Sequence, residues 1–332
     1  MGNRRPRPLV DPFGRTVRDL RISVTDRCNL RCTYCMPEDG MAWLPREALL
    51  TYEEIERVAR VCVTTFGFGA IRVTGGEPTV RADLPVLVAK LAALDVDLSL
   101  TTNGATLRLL ADDLVRAGLA RINISLDSLR PDRFATLTRR DALPRVLDGI
   151  DAALAAGLDP VKVNCVLMRG VNDDEIVDLA EFGRDRGVTV RFIEFMPLDA
   201  DGAWTPQTVV TAEEIVATID AVYPLEPLAT RGSQPAERYR YRDGRGEIGV
   251  VASVTRSFCS SCDRVRLTAE GMFRNCLFAV RETDLRVVLR TGGSDDDLAR
   301  AIGADVADKW AGHAIGQVSF VRPARSMSQI GG

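Results

Sequence analysis

Short runs of β-branched and aliphatic residues recur along the first two thirds of the chain. Each is followed by a longer stretch in which apolar side chains return every three or four positions. The first pattern belongs to buried strands and the second to amphipathic helices. It predicts strands over 20–25, 70–74, 97–101, 121–126, 161–167 and 188–195. Helices are predicted over 52–66, 83–94, 107–117, 143–156 and 174–186, with a last one over 211–222. Gly67, Gly118, Gly157 and Gly187 stand just past four of them, where a residue tolerant of positive φ ends a helix.

Six strand–helix alternations predict a parallel sheet. A closed barrel of this kind takes eight, so the expected fold is α/β, an incomplete (β/α)6 TIM-type barrel. After residue 222 the pattern changes. Residues 228–246 are polar and rich in Arg, Gly and Pro, which reads as a linker. Short alternating runs follow over 248–254, 265–269 and 285–289, then a helix over 295–310. The expected organisation is an N-terminal arm (1–18), the partial barrel (19–227), a smaller C-terminal region (228–322) and a mobile tail (323–332) ending in Gly331-Gly332.

Composition narrows the partners. Hydrophobic residues make up 46% and charged residues 27%, the mix of a globular protein with a sizeable core. A formal net charge of -3 argues against nucleic acid as a partner and requires any anion site to be local. No stretch approaches the roughly 18 apolar residues of a membrane span, and the arginine-rich N-terminus lacks the apolar run of a secretion signal. A cytoplasmic location is expected, where the eight cysteines serve as thiols or metal ligands rather than disulfides. With a single histidine, His313, the chemistry must come from other groups. His313 itself is expected to be exposed or to cap a helix.

Cys28, Cys32 and Cys35 form a C-x3-C-x2-C set just after the first strand. Structural zinc takes four ligands, and no nearby side chain supplies a fourth. A four-iron cluster held by three thiolates keeps one iron open to a small molecule. The run from Ser23 through Thr25-Asp26-Arg27-Cys28 to Cys32-Thr33-Tyr34-Cys35 resembles the signature of radical S-adenosylmethionine (SAM) enzymes. Gly75-Gly76-Glu77-Pro78, Thr101-Thr102-Asn103-Gly104, Ser125-Leu126-Asp127-Ser128 and Met196 all fall at predicted strand ends, where barrel enzymes gather their sites. The resemblance implies that an open iron binds SAM and that one electron cleaves it to a 5′-deoxyadenosyl radical.

A second trio, Cys259, Cys262 and Cys276, lies in the C-terminal region, with His313 37 residues beyond its last member. Between its cysteines, Arg264 and Arg266 share one face of a strand. Paired guanidiniums suit phosphate oxygens. Together with Val161-Lys162-Val163-Asn164, Arg191-Phe192-Ile193-Glu194 and the terminal Gly331-Gly332, this set resembles, across the whole chain, the radical SAM family that cyclises GTP at the start of molybdenum cofactor biosynthesis.

That resemblance implies two 4Fe-4S clusters, with SAM held by Tyr34, Gly76, Ser125 and Met196. It implies GTP held by Arg21, Arg72, Thr101, Lys162, Arg264 and Arg266, its guanine on the second cluster's open iron. Arg21, Gly331 and Gly332 are the expected catalytic residues, the two glycines reaching into the site. Hydrogen would leave ribose C3′ and C3′ would bond to guanine C8. A homodimer is implied, as is transfer of the product to cyclic pyranopterin monophosphate synthase. Two alternatives stand beside this reading. One is a peptide-modifying radical enzyme, which usually carries more cysteines in its extension. The other is a non-catalytic zinc module. Cys62 and Cys165 read as core residues.

Overall fold

The computed structural model describes residues 6–37, 41–199, 201–229, 232–318 and 320–331. An N-terminal hairpin, β1 (Leu9–Val10) and β2 (Thr16–Val17), leads into β3 (Asp19–Ser23), α1 (Tyr52–Phe66), β4 (Ala70–Thr74) and α2 (Leu84–Ala92). Next come β5 (Asp97–Thr102), α3 (Ala111–Arg116), β6 (Arg121–Ser125), α4 (Pro131–Thr138), α5 (Leu143–Ala155) and β7 (Val161–Leu167). They are followed by α6 (Ile176–Arg186), β8 (Thr189–Glu194), α7 (Ala212–Asp220), β9 (Leu225–Pro227), β10 (Glu237–Tyr241) and β11 (Glu247–Val251). The chain continues through β12 (Arg264–Leu267), β13 (Met272–Arg274), β14 (Thr283–Asp284), α8 (Leu285–Arg290), α9 (Asp295–Ala307) and α10 (Met327–Ile330).

Helix α1 shows how the local sequence sets an element. Thr51 accepts from the Glu54 backbone while the Glu54 carboxylate accepts from the Thr51 backbone, a reciprocal N-terminal cap. Gly67 closes the other end at φ 73°. Ile55, Val58, Ala59 and Cys62 recur at three- and four-residue spacing and turn inward.

Twelve strands form one sheet in the order β14-β13-β12-β3-β4-β5-β6-β7-β8-β11-β10-β9. Strands β3 to β8 are sequential parallel neighbours, as strand–helix repeats dictate. The C-terminal region does not build a sheet of its own. Its β12 pairs in parallel with β3 and its β11 in parallel with β8, extending both edges.

Two elements after residue 222 differ from the reading of the sequence. Residues 285–289, read as an alternating run, are helical, because Asp284 caps the Val287 N–H and starts α8. The segment read as a linker contains β10. Its arginines face outward on the pleat and bond across to neighbouring strands, Arg238 to Glu247 and Arg240 to Glu226. The last described residues are docked: in α10, Ser328 and Ile330 are buried, and Ser23 Oγ donates to the Ile330 carbonyl at 3.1 Å. Gly332 lies outside the described residues. Among those residues no helix is long and apolar enough to cross a membrane.

The pleat separates two kinds of side chain. Leu20 and Ile22, Ile71 and Val73, Leu98 and Leu100, Ile122 and Ile124, Val163 and Cys165, Val190 and Phe192 all enter the hydrophobic core. The residues between them on the strands are Arg21, Arg72, Ser99, Asn123, Asn164 and Arg191. One face of the sheet is therefore apolar and faces the helices, while the other is polar yet largely buried.

Candidate functional site

That polar face lines a cavity of about 250 Å³. All eight parallel strands contribute to it: Arg21, Arg72, Thr101, Ser125, Asn164, Arg191, Val251 and Arg264 represent β3, β4, β5, β6, β7, β8, β11 and β12 in turn. Register brings cations together. Arg266 lies opposite Arg21, and Arg21 opposite Arg72, so three guanidiniums stand side by side across β12, β3 and β4. On the far side, Arg191 donates to Asn164 at 2.9 Å and to Asn123.

These charges are buried, and the Asp19 carboxylate offsets their repulsion at Arg21 and Arg72 only in part. Arg21, Arg191 and Arg264 are each 8% exposed and Arg266 5%. Among the described residues none of them, nor Arg72, makes an ion pair with a carboxylate. Burial first, then mutual repulsion, pushes Arg21 down to about 9 and Arg72 and Arg191 to about 10, and Arg266 well below its ordinary value. Arg21 Nε, Thr101 Oγ1 and Arg264 Nη2 are buried with no hydrogen-bond partner among the described residues. Such an arrangement is costly alone and is relieved by an anion with several acceptor oxygens.

The second cysteine trio faces the same cavity, with Cys259, Cys262 and Cys276 all in its wall. Its surroundings are cationic. Although burial pushes the Cys259 thiol up, hydrogen bonding and charge from His313 bring it down to about 7. Cys262 is lowered by Arg264 and Lys309 against its burial. Cys276 stays raised because burial outweighs Lys309. The Phe278 N–H points at the Cys276 sulfur at 3.4 Å.

The first trio occupies the loop after β3. Burial pushes Cys28 up to about 11, Cys35 to about 12 and Cys32 well above its ordinary range. Thiolates at such positions require a cation among them, which a metal cluster provides. Tyr34 reaches the cavity from this loop, its hydroxyl donating to Asp127 Oδ2 at 2.6 Å. Burial pushes Asp127 up to about 6. The Gly75-Gly76-Glu77-Pro78 turn binds the cysteine loop directly: Gly76 N donates to Thr25 O at 2.7 Å and Glu77 N to Arg27 O at 2.8 Å. A Cβ on Gly76 would stand 2.4 Å from Arg27 O and 2.5 Å from Asp26 O, so only glycine fits. Glu77 accepts from Thr102 and the Asn103 N–H at 2.6 Å each, and the Asn103 amide meets Cys28 Sγ at 3.7 Å.

Of the residues expected to hold small molecules, Tyr34, Ser125, Met196, Arg21, Arg72, Thr101, Arg264 and Arg266 line the cavity. Gly76 does not, being packed on backbone. Lys162 shares its pleat face with Asn164, one step nearer the strand's start, beside Arg191 and Arg121. Gly331 sits against Ser23 and Thr74, its carbonyl accepting from Arg266.

Sequence reasoning passed over several residues. Asp127 is buried and is the acceptor for Tyr34. Glu194, fully buried, ties the end of β8 to Ala212 of α7 and to Val254 and Thr255 before the second trio. His313 is neither exposed nor a cap; it lines the cavity beside Cys259, with its ring 5.1 Å from that of Phe278. Asn164 and Arg191 were legible from strand alternation alone.

Comparison with known proteins agrees with this division of the site. Residues 22–183 match the Radical SAM superfamily and residues 188–315 match Molybdenum Cofactor Synthesis C. The chain is 51% identical to the GTP 3′,8-cyclase of Streptomyces coelicolor, over 98% of this chain and 96% of that one. It is 49% identical to the GTP 3′,8-cyclase of Mycolicibacterium smegmatis, over 98% and 92%. Among solved structures it is similar to Streptococcus suis SuiB bound to S-adenosylmethionine, with a TM-score of 0.60 and 13% identity over 87% of this chain and 69% of that one. At that identity the likeness concerns the fold.

Proposed function

The chain belongs to the GTP 3′,8-cyclases, which are radical SAM enzymes, and on that premise we propose that the cavity described above is where GTP is cyclised. The product is (8S)-3′,8-cyclo-7,8-dihydroguanosine 5′-triphosphate, the first step of molybdenum cofactor biosynthesis. In this reading Cys28, Cys32 and Cys35 hold one 4Fe-4S cluster and Cys259, Cys262 and Cys276 a second, each with one iron free of protein ligands. The donor chemistry fits: each trio is thiol-only and partly buried, and the second opens on the cavity. When bound and reduced at the first trio, a cluster would supply, with SAM, the radical chemistry that removes hydrogen from ribose C3′.

The chain's own side chains contribute position and charge. Tyr34, Ser125 and Met196 hold SAM from the cavity wall, while Gly76 acts by fixing the cysteine loop. Arg21, Arg72, Arg264 and Arg266, with Thr101 and Lys162, take the triphosphate, and its oxygens supply the partners that Arg21 Nε, Thr101 Oγ1 and Arg264 Nη2 lack among the described residues. The guanine meets the second cluster. Gly331, whose carbonyl accepts from Arg266, completes the site, and we assign the same role to Gly332, which lies outside the described residues. Convergence of eight parallel strands on one cavity supports a curved sheet, a partial barrel over 19–227 completed by 228–322. On the basis of family membership we also propose a homodimer, a cytoplasmic location and delivery of the product to cyclic pyranopterin monophosphate synthase.

The observation that carries this reading is the row of buried guanidiniums, without carboxylate ion pairs among the described residues, that shares one cavity with a cysteine trio. An anaerobic assay with reductant, SAM and GTP tests it. Formation of 5′-deoxyadenosine matched by loss of GTP is expected. Deoxyadenosine released while GTP stays intact would contradict it.

A further inference from the structure

Just beyond α9, residues 309–313 wrap the second cysteine trio. Arg15, on the N-terminal hairpin, fixes this segment. It is paired with Asp11 and donates to the carbonyls of Cys259 at 2.6 Å, Ala311 at 2.7 Å and Trp310. Gly312 presses on the cysteine itself: a Cβ there would lie 2.8 Å from Cys259 Cβ and 3.2 Å from its sulfur. Lys309 starts the strap and is 3% exposed.

The lysine's setting is unusual. Its Nζ donates to Arg264 O at 2.8 Å and to Asn275 O, carbonyls close in sequence to Cys262 and Cys276. No carboxylate makes an ion pair with it among the described residues; Asp305, one turn back on α9, accepts instead from Thr283. Arg15 and Arg264 add positive charge nearby, and the anions that act on it most strongly are the thiolates of Cys262 and Cys276. A buried ammonium needs a negative partner, and the cysteine trio is what this one has.

We infer that Lys309 is a positioning residue for the second metal centre, which its fixed positive charge makes easier to reduce. This rests on the reading of Cys259, Cys262 and Cys276 as cluster ligands. A cluster on three thiolates gains negative charge on reduction, and net charge and polar contacts near its sulfurs set its potential. A cation held by backbone carbonyls beside those thiolates favours the reduced form.

The test is an anaerobic redox titration of the full-length, iron-loaded protein, followed by electron paramagnetic resonance, with the first cluster as internal reference. Lys309→Gln keeps donors for both carbonyls and removes the charge; Lys309→Arg keeps the charge. The Gln variant should have a more negative second-cluster midpoint, with the reduced-to-oxidised ratio at the wild-type midpoint falling about tenfold, about 59 mV for one electron. The Arg variant should stay near wild type and the first cluster should not move. Loss of the second cluster from Gln alone would overturn the redox claim, because the charge would then be needed to hold the cluster rather than to set its potential. Equal midpoints in wild type and Gln, or equal shifts or losses in Gln and Arg, would overturn the proposal. Wild-type protein with iron for one cluster only would instead remove the second cluster, and the proposal with it.

Discussion

Lys162 shows how one side chain's setting becomes a measurable property. Burial, then repulsion from Arg191 and Arg121, pushes its ammonium down to about 8. The charged form is therefore nearly full at pH 7 and lost as pH rises through 8, while Arg72 and Arg191, held near 10, keep most of their charge over this range. If Lys162 serves the triphosphate, GTP binding should weaken up to about fourfold between pH 7 and 8.5. Lys162→Arg should flatten that slope in a calorimetric titration. A wild-type slope that Arg leaves unchanged would take Lys162 out of the site. At this scale the sequence was only partly legible. Arg264 and Arg266 declared a shared face by their spacing, but His313 stands 37 residues past Cys276 and reaches the trio only through the Arg15-held turn.

Among the elements, the Gly75–Pro78 turn does more for the cysteine loop than for the cavity. Its backbone pairs with residues 25–27, and Glu77 joins it to the end of β5. Gly76→Ala forces Cβ against two backbone carbonyls. The expected result is selective loss of the first cluster, from about eight irons per chain to about four, with the second cluster's signal retained. Full iron in that variant would show that the loop tolerates the displacement. The strand–helix repeats of the first two thirds were readable because period and glycine caps agree along the chain. Helix α8 and strand β10 were not, since one depends on the Asp284 cap and the other on cross-strand arginine pairs, both contacts made outside the run being read.

Across the whole molecule, a net charge of -3 coexists with a cavity walled by arginines, because the pleat sorts apolar residues to the helices and cations to the opposite face. The C-terminal region was expected to pack beside the barrel. It adds β12 and β11 to the two edges of the parallel sheet, which is how the second trio comes to share a wall with Arg21. Pairing between strands far apart in sequence leaves no local signal, so this could not be read along the chain. The central claim is that each trio leaves one iron for a small molecule in this cavity. Electron paramagnetic resonance of the reduced protein, titrated separately with SAM and with GTP, addresses it directly. Two distinguishable cluster signals should appear, one altered by SAM and the other by GTP. A signal that neither molecule alters would mean that a protein side chain already occupies that iron, and the account would fail at that centre.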